Sequence, residues 1–190
     1  MVETVSTMLD LGTNAPDFEL PNPSTGQVVR LTDYLDAPIM VVFSCNHCPY
    51  VLHILHSLAE FARGIQQQGI AVVMINANDV ENYSDDSPEK MITLGKEYGF
   101  CFPYLYDESQ QVATAYRAAC TPDFFLFDAQ HRLVYRGQYD EARPGNNQPI
   151  SGANLRAASD AVLNSTPIPE QQIPSMGCNI KWRAGNEPNY

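Results

Sequence analysis

A chain of 190 residues, 44% hydrophobic and 17% charged, is long enough for one packed domain and too apolar to be disordered. Its net charge of -11 argues against nucleic acid or an anionic membrane as the main partner, because both call for a basic surface. The opening residues carry no basic segment followed by an apolar run, and the longest apolar stretches, such as residues 70–75, are far too short to span a bilayer. The expected setting is therefore the cytoplasm.

Residues 1–14 read as a loose lead-in. Extended pieces at 15–20 and 27–31 flank the turn residues Asn22, Pro23, Ser24, Thr25 and Gly26, which predicts an N-terminal hairpin. The run Ile39–Phe43 is continuously apolar and rich in β-branched residues, as expected of a buried parallel strand. After it, Val51, Ile54, Leu55, Leu58, Ala62 and Ile65 recur at helical spacing, with His53, His56, Glu60 and Arg63 on the opposite side. Gly69 ends that helix, and 70–77 is a second buried strand. The stretch with Asp79, Glu81, Asp85 and Asp86 reads as a solvated loop, and Pro88 opens a helix reaching about Tyr98. A short strand at 103–107, a helix at 109–117, strands at 123–128 and Leu133–Gly137, and an amphipathic helix at Ala153–Leu163 complete the series. The predicted organisation is one domain at 15–165 and a proline-rich tail at 166–190, either mobile or packed on or near the domain. Alternating strands and helices with a late hairpin predict an α/β protein. Its central sheet is mixed, with helices on both faces.

Five cysteines, an odd number, do not form a secreted disulfide framework. Cys45 and Cys48 form a Cys-x-x-Cys pair where a strand gives way to a helix. Unpaired N–H groups and the helix dipole favour a thiolate there, and the thiolate is the nucleophile of disulfide exchange. Cys45, first in the motif and expected nearer the exposed end, is assigned the attack; Cys48 is assigned to resolve the mixed disulfide. His47, between them, is a candidate for tuning the thiolate. Cys120 and Cys178 are either further redox thiols in a relay or packed small hydrophobes, and Cys101, between two phenylalanines, reads as structural. Four thiolates from Cys45, Cys48, Cys120 and Cys178 could hold zinc or an iron–sulfur cluster. Only the first pair has ligand-like spacing, so neither metal nor organic cofactor is expected. His53 and His56 lie on a solvated face, and Asp140, Glu141 and Arg143 receive no role.

The strand–Cys-x-x-Cys–helix order, with Thr121-Pro122 before a strand, resembles the thioredoxin superfamily. The opening Ala15-Pro16-Asp17-Phe18-Glu19-Leu20 resembles that of peroxiredoxins and redoxins, the alkyl hydroperoxide reductase/thiol-specific antioxidant family. Cys45-Asn46-His47-Cys48-Pro49-Tyr50-Val51, Cys120-Thr121-Pro122-Asp123 and Gly177-Cys178-Asn179-Ile180-Lys181-Trp182 resemble a group of peroxiredoxin-like, thioredoxin-domain proteins, from Ala15 to Trp182. The resemblance implies a thioredoxin fold with a cis Pro122 beside the dithiol and a Thr121 backbone that pairs with an incoming extended peptide. Three positions depart from the family patterns. Val42 and Cys45 stand where a peroxiredoxin threonine belongs, counted back from Cys45 and Cys48 respectively. The peroxiredoxin arginine is missing near Thr121-Pro122, and Ser44 replaces the thioredoxin tryptophan.

Residues and resemblance together predict a thiol–disulfide oxidoreductase of cell redox homeostasis. Its partners would be a disulfide-containing protein or small thiol substrate and a reductase or dithiol donor. The alternatives are an antioxidant thiol peroxidase and a non-enzymatic metal-binding or redox-sensing module.

Overall fold

The computed structural model describes residues 3–190. In chain order its strands are β1 (Glu3–Val5), β2 (Glu19–Pro21), β3 (Val28–Arg30), β4 (Ile39–Phe43), β5 (Ala71–Asn76), β6 (Tyr104–Tyr106), β7 (Cys120–Thr121), β8 (Asp123–Phe127), β9 (Leu133–Gly137) and β10 (Met176–Asn179). The helices are α1 (Pro49–Gln67), α2 (Pro88–Glu97), α3 (Gln111–Ala115) and α4 (Ala153–Leu163).

The central sheet runs β6-β5-β4-β8-β9. β4 is parallel to β5 and β5 to β6, whereas β8 is antiparallel to both β4 and β9, so the sheet is mixed as predicted. Successive residues of a strand face opposite sides. Met40, Val42, Val72, Met74, Phe124 and Leu126 pack on one side against α1, with Leu155 and Ala158 of α4 and Met91 of α2 in the same cluster. Ile39, Val41, Phe43, Val73, Ile75, Phe125 and Phe127 pack on the other against Val112 and Ala113 of α3, Tyr116, and Phe18 and Leu20 of the β2–β3 hairpin. Helices therefore cover both faces, and the architecture is a thioredoxin fold.

α1 ends where Gly69, at φ +104°, allows Gly69 N–H to reach Gln66 O and Ile70 N–H to reach Ile65 O. α2 starts on Ser87, whose hydroxyl accepts from Lys90 N–H. α3 is shorter than the predicted 109–117. Gln110 (φ +63°) and Arg117 (φ +51°) are left-handed and bound it, while the Asp107 carboxylate accepts the Ala113 N–H that a longer helix would use internally.

Two segments differ from the sequence expectation. The lead-in contributes β1, residues 1 and 2 lying outside the described region, and the tail contributes β10. With β7 they form a second antiparallel sheet, β1-β10-β7. Cys178 lies opposite Glu3 on one side and Thr121 on the other. Gly177 is required here, since a Cβ on it would lie 2.0 Å from Thr121 O. The following residues are anchored. Lys181 N–H donates to Asn78 Oδ1, its carbonyl accepts from Asp79 N–H and Gln110 Nε2, and Ile180 is buried in the core.

Candidate active site

Phe43, at the end of β4, pairs with Asp123 at the start of β8. The residues after β4 therefore meet those before β8, which brings the Cys-x-x-Cys loop against Thr121-Pro122. The Thr121–Pro122 peptide is cis. Cys45 Sγ lies 3.3 Å from the Thr121 hydroxyl, and the Cys48 thiol donates to Thr121 O at 3.2 Å. Cys45, Cys48 and Cys178 are buried in the same cluster, and the Cys48 thiol interacts electrostatically with both of the others. Cys120 is buried too, but its thiol is directed at Pro122 O, 3.6 Å away.

Both motif cysteines are buried, Cys45 at 1% and Cys48 at 0% exposure, so Cys45 is not the exposed member that its place in the motif suggests. Their electrostatics also run against the expected order. α1 begins at Pro49, which makes Cys48 its N-cap. The Cys45 thiol, the Cys178 thiol and the N–H groups of Val51 and Cys178 favour a negative Cys48. They outweigh burial and lower its pKa to about 5. Cys45 is pushed well above the usual thiol value by its hydrogen bond to Cys48, by burial and by the Asp86 charge, with the Thr121 hydroxyl acting the other way. The pair thus shares one proton: held on Cys45 it favours a charged Cys48, and held on Cys48 it makes the hydrogen bond to Thr121 O.

Asp86 corrects the reading of the acidic stretch as a solvated loop: it is fully buried, and Asp79 nearly so. Its carboxylate accepts from Asn46 N–H and from Asn78 Nδ2, both at 2.7 Å, and lies 2.8 Å from His47 Nδ1. His47 stacks on Tyr83, with ring centroids 6.0 Å apart. Cys45, His47 and Asp86 bring one potential ligand atom each within 4.8 Å of one another. The Asp86 oxygens are already engaged by Asn46 N–H and Asn78 Nδ2, so the arrangement is that of an imidazole held close to a hydrogen-bonded carboxylate beside Cys45. The four-cysteine set considered from the sequence does not converge, because Cys120 faces away. The sequence signal for Asp86 lay in Asn76 and Asn78, polar residues at the end of a buried strand; the amide of each donates to an Asp86 oxygen.

The edge expected to receive an extended peptide is occupied. The Thr121 backbone pairs with Cys178 of the chain's own β10, which has the reach because Gly177 lets the backbones close. Beyond Pro122 lies a shallow cleft lined by Tyr50, Tyr139, Arg143 and Met176.

Residues 11–136 match the sequence pattern of the AhpC/TSA family. The chain belongs to the AhpC/TSA family. This AhpC/TSA protein is similar to an uncharacterized conserved protein from Geobacillus kaustophilus. The two are 50% identical, and their structures superpose with a TM-score of 0.94 over 96% of this chain and 97% of that one. It is 27% identical to the thiol-disulfide oxidoreductase ResA of Geobacillus thermodenitrificans (strain NG80-2), over 68% of this chain and 70% of the relative. It is 32% identical to a provisionally named peroxiredoxin of Mycobacterium tuberculosis (strain CDC 1551 / Oshkosh), over 60% of this chain and 68% of the relative.

Other candidates in this AhpC/TSA chain fall away from the site. Cys101 is exposed rather than packed. Phe100 and Phe102 stack on each other at 4.7 Å, and Cys101 between them donates to Gln66 Oε1. His56 is exposed beside Glu60, while His53 is half-buried. Asp140 is buried and accepts from the N–H groups of Ala142, Ser151 and Gly152, which fixes the turn leading to α4.

Proposed function

We propose that the chain is a thiol–disulfide oxidoreductase in which Cys48 attacks and Cys45 resolves, the reverse of the order its motif suggests. The observation that carries this reading is the place of Cys48 at the N-terminus of α1, in one buried cluster with Cys45 and Cys178, where both neighbouring thiols favour its charged form. A Cys48 thiolate attacks a substrate disulfide, and one substrate sulfur leaves as a thiolate and takes a proton from solvent. Cys45 then gives up its proton and attacks Cys48 Sγ. The second substrate thiolate leaves, and a Cys45–Cys48 disulfide remains. A dithiol donor returns the pair to the reduced state.

The Thr121 hydroxyl favours the Cys45 thiolate needed for the second step. His47, held by Asp86 beside Cys45, is placed to receive the Cys45 proton, and Pro122 shapes the wall next to the dithiol. The 27% identity to a protein named thiol-disulfide oxidoreductase supports the same chemistry. The fitting substrates are disulfide-containing proteins or small thiol disulfides, in cell redox homeostasis.

A second reading is a thiol peroxidase, with Cys48 oxidised to a sulfenic acid that Cys45 resolves to a disulfide and water. The burial of Cys48 favours it, because a peroxide is small enough to reach a thiolate beneath β10 that a protein disulfide reaches only when β10 lifts.

Trapping decides the roles. Cys45→Ser should accumulate a mixed disulfide on Cys48 with a model disulfide, whereas Cys48→Ser should not. Trapping on Cys45 alone would restore the motif order. Stopped-flow mixing of the reduced protein with hydrogen peroxide separates the two chemistries: slow consumption is expected, and fast consumption with a trapped sulfenic acid would establish the peroxidase.

A further inference from the structure

We propose that Cys178 is a second resolving thiol for Cys48, so that the Cys45–Cys48 disulfide exchanges into a Cys48–Cys178 disulfide that pins β10 over the site. This rests on the reading of Cys48 as the reactive sulfur. Three observations carry it. Cys48, at the start of α1, and Cys178 are buried in one core cluster, and their thiols act on each other electrostatically. The register of β10 sets Cys178 opposite Thr121, whose carbonyl is itself 3.2 Å from Cys48 Sγ. The strand is held in that register from both ends. The Ser175 hydroxyl donates to Gly137 O before it, and the Ile180 N–H donates to Ala119 O after it. Cys120, the other candidate, points at Pro122 O instead.

The exchange needs no outside oxidant. Cys178 gives up its proton and its sulfur attacks Cys48 Sγ. The Cys45–Cys48 bond breaks, and Cys45 leaves as a thiolate that takes up the proton. One disulfide and one thiol are present before and after. The geometry also orders the steps. While Cys48 is a thiolate, its hydrogen bond and its charge reinforce burial in holding Cys178 protonated. Once Cys48 is in a disulfide, that charge is gone, and the nearby Lys181 ammonium favours the Cys178 thiolate. Cys178 is therefore silent in the reduced protein and becomes competent on oxidation. The product ties β10 to the first turn of α1 and keeps the Thr121 edge closed to a peptide.

The test is diamide oxidation of wild type, Cys45→Ser and Cys45→Ser/Cys178→Ser, followed by alkylation and disulfide mapping by mass spectrometry, with circular dichroism as the check on folding. Cys45→Ser is expected to form an intramolecular Cys48–Cys178 bond, and the double variant to lose it. A folded Cys45→Ser that yields only intermolecular adducts on Cys48, while wild type closes Cys45–Cys48, overturns the inference and leaves the oxidoreductase reading standing. Absence of any bond to Cys48 in all three proteins sinks both. Wild type incubated in glutathione buffers of stepped potential should show both disulfides; a single species across the whole titration counts against the exchange.

Discussion

In the five-stranded sheet, every residue of β4 and β8 is buried, and the two strands pair over their whole length. In the three-stranded sheet, β1 exposes Glu3 and Val5, β10 exposes Met176, and β7 is two residues long. The first sheet is secured by apolar area on both faces, each large side chain contributing roughly 1.5–3 kcal/mol when fully buried. The second depends on backbone pairing, the close approach at Gly177 and the polar anchors of Lys181. Stability is not uniform across a structure, and elements with few buried apolar contacts open first. The dithiol loop leaves the stronger sheet and is covered by the weaker one. The scaffold that sets its geometry can therefore stay closed while its lid moves.

Substitutions in the two sheets should separate these roles. Phe125→Ala removes a ring that packs edge-on against Phe43 and Tyr116 from a fully buried site, and should cost about 3–5 kcal/mol of global stability in urea titrations. A loss confined to the region around β10 would contradict the division. The thiols give a pH signature of up to about 1.4 kcal/mol per pH unit. Cys48 is lowered from 9.0 to about 5, so its contribution is full above 9.0 and lost as pH falls toward 5. Cys45 is raised, so above 9.0 the unfolded chain releases a proton that the folded one keeps, and stability falls again. The stability of the reduced wild type relative to Cys45→Ala/Cys48→Ala should peak near pH 9, and a flat difference would remove the shared-proton pair.

Gly177→Ala forces a Cβ onto the Thr121 carbonyl and should weaken the tail sheet by about 1–3 kcal/mol. Hydrogen exchange should speed up in β1 and β10 and stay unchanged in β4 and β5, with faster alkylation of Cys48. Uniformly faster exchange would show that the two sheets open together. Cys101→Ser, outside both sheets and exposed, should change stability by no more than about 0.5 kcal/mol and leave the disulfide map intact.

The same contrast explains what the sequence discloses. β4, β5, β8, β9, α1 and α4 are legible because their apolar residues recur with the period of the element that buries them, and Ala153–Leu163 is found at its observed limits. β1, β7 and β10 leave no such trace. Two to four residues with mixed exposure become strands because of partners far along the chain, and Gly177 in isolation reads as a turn residue. Cys45 and Cys48 announce themselves by spacing. Their charges do not, because the donors that favour the Cys48 thiolate include Cys178, and the carboxylate that opposes charge on Cys45 comes from an acidic loop whose burial depends on Asn76 and Asn78. α3 is overextended in the sequence reading because Asp107 and Gln110 spend their side chains on tertiary bonds.

The pairing of Glu3 with Cys178 also orders events in time. A growing chain can assemble β4, α1 and β5 as soon as residue 76 is out of the ribosome, since their contacts are local in sequence. β10 closes over them only after residue 179 has followed. Once Gly137 has followed, the growing chain therefore carries the complete five-stranded sheet with an uncovered dithiol. In that nascent form Cys48 meets the surrounding thiol pool before it has a lid to lift.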